Sequence, residues 1–215
     1  MIEITATIFL DLDGTLLNTS KRHYKLYKDI LNEKIPQNGE PKFSPQKFWS
    51  MKREGIKTRD ILPTPLSNEI ITSFEDEWLQ KIEKKSYLQY DESFPGMKNI
   101  LSDLNKEFDL ILVTLRNNTE NLHWELSKLG LKSYFRSILC GEGPKKKLIE
   151  GYLKDSPDEK CIIIGDTEED IKTGKKLEIT TISVTCGIRS RAFLEDFNPD
   201  FCIGSLHEVR DIINF

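Results

Sequence analysis

Short apolar runs alternate with helical patterns along most of the chain from about residue 97 onward. Runs of three or four apolar residues between polar segments are typical of buried strands, whereas apolar positions that recur every three or four residues indicate helices. Their alternation predicts βα units and a parallel sheet. With an early apolar run, six strands are predicted, at residues 8–10, 110–113, 137–139, 161–164, 181–184 and 201–203. Helices are predicted at residues 97–106, 119–129, 147–153 and 205–213.

Residues 17 to about 92 carry a different pattern, which is helical, rich in lysine and interrupted by five prolines. No convincing strand occurs there. The simplest arrangement is a helical insert after the first strand. We therefore predict an α/β fold with a Rossmann-like parallel sheet core flanked by helices (residues 1–16 and 93–215) and an inserted α-helical cap domain (residues 17–92). Trp49, Phe74, Trp78 and Tyr87 are expected to form the core of the insert.

The segment around Asp11 and Asp13 carries the most chemical information. The apolar run of residues 8–10 is followed by these two carboxylates and then by Gly14 and Thr15. If the run is a strand, both carboxylates emerge at its carboxyl end, where open α/β sheets bind ligands. Two such carboxylates favour a cation between them, and oxygen ligands of this kind suit Mg²⁺. The segment alone is also compatible with a strand followed by an Asp/Gly turn.

Two later strands also end in polar residues. Thr114, Leu115 and Arg116 follow the second strand, and their hydroxyl and amide groups could bind a phosphate oxygen, although a threonine there can also cap a helix. Asp166 lies at the tip of the fourth strand, and Asp170 follows on the same side of the next helix. Acidic residues at that place can also simply favour the helix dipole.

Basic side chains could balance these carboxylates. The three consecutive lysines at 145–147 lie between the polar strand ends, and one of them could supply a point charge, although a solvated helix face is the alternative for any single lysine. His23 begins the insert near the hinge and could face the site, but we expect a surface histidine on a polar helix and assign it no role.

Composition narrows the class of protein. The net charge of −4 argues against a nucleic-acid partner. No apolar run approaches the ~18 residues that cross a bilayer, and the first residues lack the basic start of a signal peptide. The four cysteines lack the spacing of metal ligands, and three lie in or beside apolar runs, which predicts free buried thiols in a reducing cytoplasm. We therefore expect a cytoplasmic protein without membrane or nucleic-acid partners, whose oligomeric state the sequence leaves open.

Taken in order, these elements resemble the haloacid dehalogenase superfamily of phosphohydrolases over nearly the whole chain. The family's four motifs are matched by Asp11-Leu12-Asp13-Gly14-Thr15, by Thr114, by one of the three lysines, of which Lys145 fits best, and by Gly165-Asp166 with Asp170. The position of the helical insert is similar to that in the phosphoglycolate-phosphatase and β-phosphoglucomutase-like branch. Residues 51–60 resemble the substrate-specificity loop of that branch.

The resemblance implies a Mg²⁺-dependent phosphatase that hydrolyses a small phosphorylated metabolite, a phosphate monoester, through an aspartyl-phosphate. Asp11 would attack phosphorus, and Asp13 would protonate the leaving alcohol and then deprotonate water. Thr114 and Lys145 would hold the transferring oxygens. The Mg²⁺ would be held by Asp11, Asp13 through its backbone carbonyl, Asp166 and Asp170.

The resemblance also implies a set of substrate-binding residues, namely Gly14, Thr15, Leu115 and Arg116 from the core and Arg53, Lys57 and Arg59 from the cap. A carboxylate at Asp13 favours a phosphatase or a phosphomutase over the dehalogenase and phosphonatase relatives, which have no alkoxide to protonate. A phosphomutase of the β-phosphoglucomutase type remains an alternative. A non-catalytic phosphate-binding or regulatory protein is a second one.

Overall fold

A computed structural model describes residues 6–35, 43–63, 66–154 and 160–213 of the chain. Its strands are β1 (Ala6–Leu10), β2 (Leu17–Asn18), β3 (Glu92–Ser93), β4 (Asp109–Thr114), β5 (Ser137–Cys140), β6 (Lys160–Gly165), β7 (Thr180–Val184) and β8 (Phe201–Ile203). Its α-helices are α1 (Ser20–Lys34), α2 (Pro45–Arg53), α3 (Asn68–Lys81), α4 (Lys85–Leu88), α5 (Met97–Leu104), α6 (Thr119–Leu129), α7 (Lys145–Leu153), α8 (Glu168–Leu177) and α9 (Arg191–Glu195). Short 3₁₀ helices cover Thr58–Ile61, Lys132–Tyr134 and Leu206–Asp211.

Six parallel strands form one sheet in the order β5-β4-β1-β6-β7-β8. The six predicted strands and the α/β fold class are confirmed, and the predicted bounds differ from the observed ones by no more than two residues at either end. The chain adds β4 and β5 on one side of β1 and later adds β6, β7 and β8 on the other side, so the strand order reverses at β1. A crevice opens beyond the carboxyl ends of strands at such a switch point.

The sheet is buried on both faces, as its continuous apolar strands predict. Side chains of β1 alternate between the faces, so that Ile8 and Leu10 join one apolar cluster and Phe9 joins another. Leu101 of α5 and Leu122 of α6 pack in the first cluster. This packing fixes β1 rigidly in the middle of the sheet, and with it the segment that follows its tip.

Helices α1 to α4 lie between β2 and β3 and have an apolar cluster of their own; this helical segment is called the cap below, and the sheet with its flanking helices the core. Phe74 is buried in that cluster and Trp78 and Tyr87 pack against it, as expected, whereas Trp49 lies outside it. The expectation of no strand in this part of the chain is wrong, because β2 pairs antiparallel with β3. Each of these strands has only two residues, which is too short to carry an alternating pattern. They join the helical segment to the sheet.

Three further observations bear on the sequence-based expectations. The last predicted helix is a 3₁₀ helix, Leu206–Asp211, and α7 begins at Lys145, two residues earlier than predicted. All four cysteines lie in the described part of the chain, where they form no disulfide; they are half-buried, so the expectation that these thiols are buried is wrong. In the same part of the chain, no helix combines the length and the apolar character needed to cross a membrane.

Candidate active site

A cavity of about 300 Å³ opens beyond the tips of β4, β1 and β6 and is lined on the other side by residues of the helical segment. Asp11 and Asp13 follow β1, Thr114 ends β4, and Lys145 begins α7. All four side chains line the cavity. The parallel topology therefore brings together residues that are more than 100 positions apart in the sequence.

Lys145 lies between two carboxylates at the floor of this cavity. Its Nζ is 2.5 Å from Oδ1 of Asp11 and 2.5 Å from Oδ1 of Asp170, and its side chain is only 5% exposed. Burial lowers the pKa of Lys145, but the two carboxylates outweigh burial and raise it above its ordinary value. The next lysine, Lys146, instead pairs with Glu150 at 3.3 Å on the helix surface. Of the three consecutive lysines, the structure thus places Lys145 in the site.

Asp11 and Asp170 are each held by a neighbouring threonine. Thr15 Oγ1 donates to Oδ2 of Asp11 at 3.2 Å, and both the backbone N–H and Oγ1 of Thr167 donate to Oδ2 of Asp170, at 3.1 and 2.6 Å. Burial raises the pKa of Asp11 to about 7, against the lowering effect of Lys145. These contacts orient the two carboxylates on either side of the lysine.

Asp11, Asp166 and Asp170 form a group whose carboxylate oxygens lie within 4.8 Å of one another. Asp166 is fully buried; its Oδ2 accepts from the backbone N–H of Ile188 at 2.6 Å, but its Oδ1 has no hydrogen-bond partner. Burial raises the pKa of Asp166 well above its ordinary value, and the neighbouring carboxylates add to the shift. A buried carboxylate oxygen without a partner, among three hard oxygen donors, fits a site for a divalent cation such as Mg²⁺.

Glycines pack directly against Asp166. A Cβ at Gly14, whose φ is +84°, would lie 1.9 Å from Oδ2 of Asp166, and a Cβ at Gly187 would lie equally close. Gly14 therefore serves the site through its lack of a side chain, and neither it nor Thr15 lines the cavity. Gly187 was not singled out by sequence, since nothing in its local pattern predicts contact with a distant carboxylate.

Asp13 lies in a different environment from Asp11. Arg116 donates two hydrogen bonds to it, from Nε to Oδ2 at 2.7 Å and from Nη2 to Oδ1 at 2.6 Å, and Nη2 of Arg22 lies 3.0 Å from Oδ1. Burial raises the pKa of Asp13, but the two guanidinium groups outweigh it and hold the pKa well below its usual range. The sequence motif predicted a carboxyl that changes its protonation state, whereas the structure places Asp13 in an ion pair that keeps it ionised.

The two arginines belong to a buried charge network. Nη1 of Arg22 lies 3.2 Å from Asp91 Oδ2, and Nη1 of Arg116 lies 3.1 Å from Glu125 Oε2. Burial raises the pKa of Asp91 to about 9 and also raises that of Glu125. Sequence reasoning missed Arg22, Asp91 and Glu125, because charged residues on helices and in turns normally indicate solvent-exposed faces.

Thr114 and Leu115 complete the core side of the cavity. Thr114 is buried and its Oγ1 accepts from the backbone N–H of Arg116 at 3.4 Å, so a hydroxyl does lie at this strand tip. Leu115 lines the cavity and is exposed. Both positions are as the sequence predicted, whereas the side chain of Arg116 is turned toward Asp13.

The cap residues proposed from sequence do not reach the cavity. Arg53 donates to the backbone carbonyls of Thr185 and Gly187, at 2.9 and 2.5 Å, and so ties the end of α2 to the loop after β7. Lys57 and Arg59 are exposed, and none of these three cap residues lines the cavity. The loop at residues 51–60 does contact the core through Arg53, but its resemblance to the specificity loop did not indicate which of its side chains face inward.

Five residues of the helical segment line the cavity, namely Thr19, Arg22, His23, Ile82 and Glu83. The carboxylate of Glu83 accepts from the backbone N–H groups of Asn117 and Asn118, the latter at 2.7 Å, and makes a second tie between cap and core. His23 packs edge-on against Trp49 and Trp78, with ring centroids 5.7 and 5.6 Å away. The expectation that His23 is a surface residue is wrong. Burial lowers its pKa well below the ordinary value.

Residues 8–184 match the family model of the haloacid dehalogenase-like hydrolases. The chain belongs to this hydrolase family. Pyrophosphatase PpaX of Listeria innocua is 25% identical over 96% of this chain and 95% of the relative, and PpaX of Bacillus cereus strain Q1 is 23% identical over 97% and 96%. A haloacid dehalogenase-like family protein from Streptococcus pneumoniae has the same fold, with a TM-score of 0.76 at 24% identity over 98% of this chain and 99% of that one. The predicted superfamily is therefore confirmed.

Proposed function

We propose that this member of the haloacid dehalogenase-like hydrolases is a Mg²⁺-dependent phosphatase that acts on a small phosphate monoester. The observation that carries the proposal is the position of Lys145, whose buried ammonium group bridges Asp11 and Asp170 at 2.5 Å in the wall of the cavity. A buried cation beside a strand-tip aspartate is suited to hold the oxygens of a phosphoryl group during transfer.

Asp11 is the proposed nucleophile. Its Oδ atom attacks phosphorus, the bond from phosphorus to the leaving oxygen breaks, and the alcohol departs with one proton. Water then attacks the aspartyl-phosphate, which releases orthophosphate and restores the carboxylate. Thr15, which donates to Oδ2 of Asp11, positions the nucleophile, and Lys145 and Thr114 stabilise charge on the transferring oxygens.

Asp11, Asp166 and Asp170 would hold the Mg²⁺, and the chemistry of their oxygen donors fits this ion. When bound, Mg²⁺ supplies positive charge that offsets the repulsion between these carboxylates and the phosphate. Burial raises the pKa values of Asp11 and Asp166, so a bound cation would stabilise the ionised form of both carboxylates.

Asp13 remains the proposed acid and base of the two steps. In the arrangement described here Arg116 and Arg22 hold it ionised, so protonation of the leaving alcohol requires that its pairing with them loosens. A leaving group that needs no proton, such as p-nitrophenolate, avoids this requirement. We therefore expect p-nitrophenyl phosphate to be a usable test substrate.

Inorganic pyrophosphate is a second candidate substrate. The relatives named pyrophosphatase PpaX align along nearly the whole chain, although at only 23 to 25% identity. In either case the proposed substrate is a small phosphorylated molecule. A cytoplasmic location, and the absence of nucleic-acid and membrane partners, stay predictions from the sequence.

The first test measures Mg²⁺-dependent hydrolysis of p-nitrophenyl phosphate by the wild type, by Asp11→Asn and by the control Asp103→Asn, whose carboxylate is exposed on α5 and pairs with Lys106. Activity that a chelator abolishes, that Asp11→Asn lacks and that Asp103→Asn retains would support the proposal. Equal activity of Asp11→Asn and the wild type would overturn the aspartyl-phosphate mechanism. A requirement for a bisphosphate cofactor would indicate a phosphomutase instead.

A further inference from the structure

Arg53, the last residue of α2 in the cap, binds the loop that follows β7 of the core. Its Nη2 donates to the backbone carbonyl of Thr185 at 2.9 Å, and its Nη1 donates to that of Gly187 at 2.5 Å. In return, the backbone N–H of Ser190 donates to the carbonyl of Arg53 at 2.9 Å. The N–H groups of a guanidinium form a rigid planar fork, so the side chain fixes the direction of both carbonyls that it binds.

The peptide group between Gly187 and Ile188 contacts Asp166 on its other side. The carbonyl of this peptide accepts from Arg53, and its N–H, which belongs to Ile188, donates to Oδ2 of Asp166 at 2.6 Å. The C=O and N–H bonds of a planar trans peptide point in opposite directions, so neither can turn without the other. One peptide group therefore connects a guanidinium of the cap with a carboxylate of the candidate metal site.

The packing around Gly187 leaves this peptide little freedom on the side of the metal site. Gly187 is buried, and a Cβ there would lie 1.9 Å from Oδ2 of Asp166 and 2.5 Å from the carbonyl oxygen of Gly14. The backbone therefore lies directly against the carboxylate and against the segment that follows β1. Because Arg53 holds the carbonyl from the opposite side, the peptide is fixed between the cap and the site.

The charge of Arg53 also strengthens the hydrogen bond to Asp166. A hydrogen bond from an ionised donor polarises the peptide that accepts it, and a polarised peptide donates more strongly through its own N–H. The bond from Ile188 occupies Oδ2 of Asp166, whereas the buried Oδ1 has no hydrogen-bond partner among the described residues. Oδ1 is thus the oxygen available to a cation, and its direction depends on how firmly Oδ2 is held.

We propose that Arg53 is a positioning residue for the metal site, which acts on Asp166 through the Gly187–Ile188 peptide and so couples docking of the cap to the affinity for Mg²⁺. The inference rests on the Mg²⁺ site of the proposed function. This role differs from the substrate contact that the sequence predicted for Arg53. The coupling is reciprocal, so bound Mg²⁺ strengthens the contact between Arg53 and the core by the same factor.

The test measures the Kd of Mg²⁺ alone, by calorimetry and by the increase of Tm with Mg²⁺ concentration, for the wild type, Arg53→Met, Arg53→Lys and the control Lys85→Met. Lys85 also ties the cap to the core, but its partner is Glu120 of α6, at 2.7 Å, and not the loop after β7. Removing a group that hydrogen-bonds a metal ligand typically weakens metal binding about 10- to 100-fold. Arg53 acts from one peptide further away, so we expect a loss of about tenfold for Arg53→Met and about threefold for Arg53→Lys, which keeps the charge but not the fork. Lys85→Met should change the Kd less than twofold.

The outcomes separate the coupling from the proposed function. A Kd of Arg53→Met within twofold of the wild type would overturn the coupling even if phosphate esters are hydrolysed, and Arg53→Lys decides by the same criterion if Arg53→Met does not fold. An equal loss in Lys85→Met would also overturn it, because the effect would then come from general loosening of the cap. A selective loss in Arg53→Met, with no ester hydrolysed by the wild type, would retain the coupling and refute the phosphatase function. A wild type that does not bind Mg²⁺ would refute both.

Discussion

Replacement of Lys145 by methionine tests the centre of the site. Methionine has a similar length but no charge, so the variant removes the ammonium group that lies 2.5 Å from both Asp11 and Asp170 while nearly preserving the packing. Loss of one preorganised group that stabilises transition-state charge typically reduces kcat by about 10²- to 10³-fold. We expect at least this loss for Lys145→Met, because the same cation also orients the proposed nucleophile.

The variant should also change stability in a pH-dependent way. Removing one partner of a buried ion pair costs about 3 to 5 kcal/mol when the remaining charges stay. Asp11, whose pKa is already about 7, should instead retain a proton in the folded variant to a higher pH. A carboxyl with a raised folded-state pKa makes the folded state less stable as pH increases. Lys145→Met should therefore lower the free energy of unfolding more at pH 8 than at pH 6. The difference should be about 1 to 1.5 kcal/mol, because the folded variant retains on Asp11 a proton that the wild type releases between these pH values.

The assays are Mg²⁺-dependent hydrolysis of p-nitrophenyl phosphate, and urea unfolding without Mg²⁺ at pH 6 and pH 8. Lys146→Met is the matched control, because Lys146 is the next residue of the same helix and forms only an exposed pair with Glu150. It should change kcat less than twofold and the free energy of unfolding by less than about 0.5 kcal/mol. If Lys145→Met kept its kcat within threefold, or if Lys146→Met lost as much, the assignment of Lys145 to the transferring phosphoryl group would be refuted.

Three further predictions concern the metal site and the cap. Mg²⁺ should raise the Tm more at pH 8 than at pH 5.5, because protons compete for Asp11 below its pKa of about 7; an equal shift at both pH values would contradict this. Gly14→Ala should destabilise the protein and abolish the Mg²⁺-dependent Tm shift, because its Cβ would lie 1.9 Å from Oδ2 of Asp166. The control is Gly151→Ala, whose Cβ would meet nothing within 4 Å and which should be neutral or stabilise α7 by about 0.5 to 1 kcal/mol. The pKa of His23 is lowered in the folded state, so the free energy of unfolding should decrease as pH falls below about 6.5, where the unfolded chain takes up a proton on this histidine. Urea unfolding of His23→Phe between pH 7.5 and 5.5 should lack this decrease.

The sheet was predictable from sequence because its strands are buried on both faces. Residues 110–113 and 161–164 are apolar throughout, and such runs have few alternatives in a chain of this type. The strand tips followed from the same reasoning, since Asp11 and Asp166 come directly after apolar runs. Among the three lysines at 145–147, the sequence pattern identifies Lys145 only as the best fit to the motif, because which lysine is buried depends on where α7 begins.

The cap was less predictable, for a related reason. Arg53, Lys57 and Arg59 look alike as isolated cations, yet Arg53 binds backbone carbonyls of the core and the other two face solvent. The residues of the helical segment that do line the cavity, such as Glu83 and His23, lie outside the loop that resembles the family's specificity loop. Helix orientation determines which side chains face inward, and tertiary packing rather than local pattern sets that orientation.

Asp13 illustrates the limit of motif-based assignment most clearly. Its place at the strand tip follows from the motif, but its ionisation follows from Arg22 and Arg116, which come from two other parts of the chain. A general acid that is paired with two arginines can work only if something else occupies those arginines or if the leaving group needs no proton. The second condition can be tested, because p-nitrophenolate leaves without a proton whereas an alkoxide needs one. Asp13→Asn should therefore lose more of its kcat on ethyl phosphate than on p-nitrophenyl phosphate, and an equal loss on both esters would contradict the role of Asp13 as the proton donor.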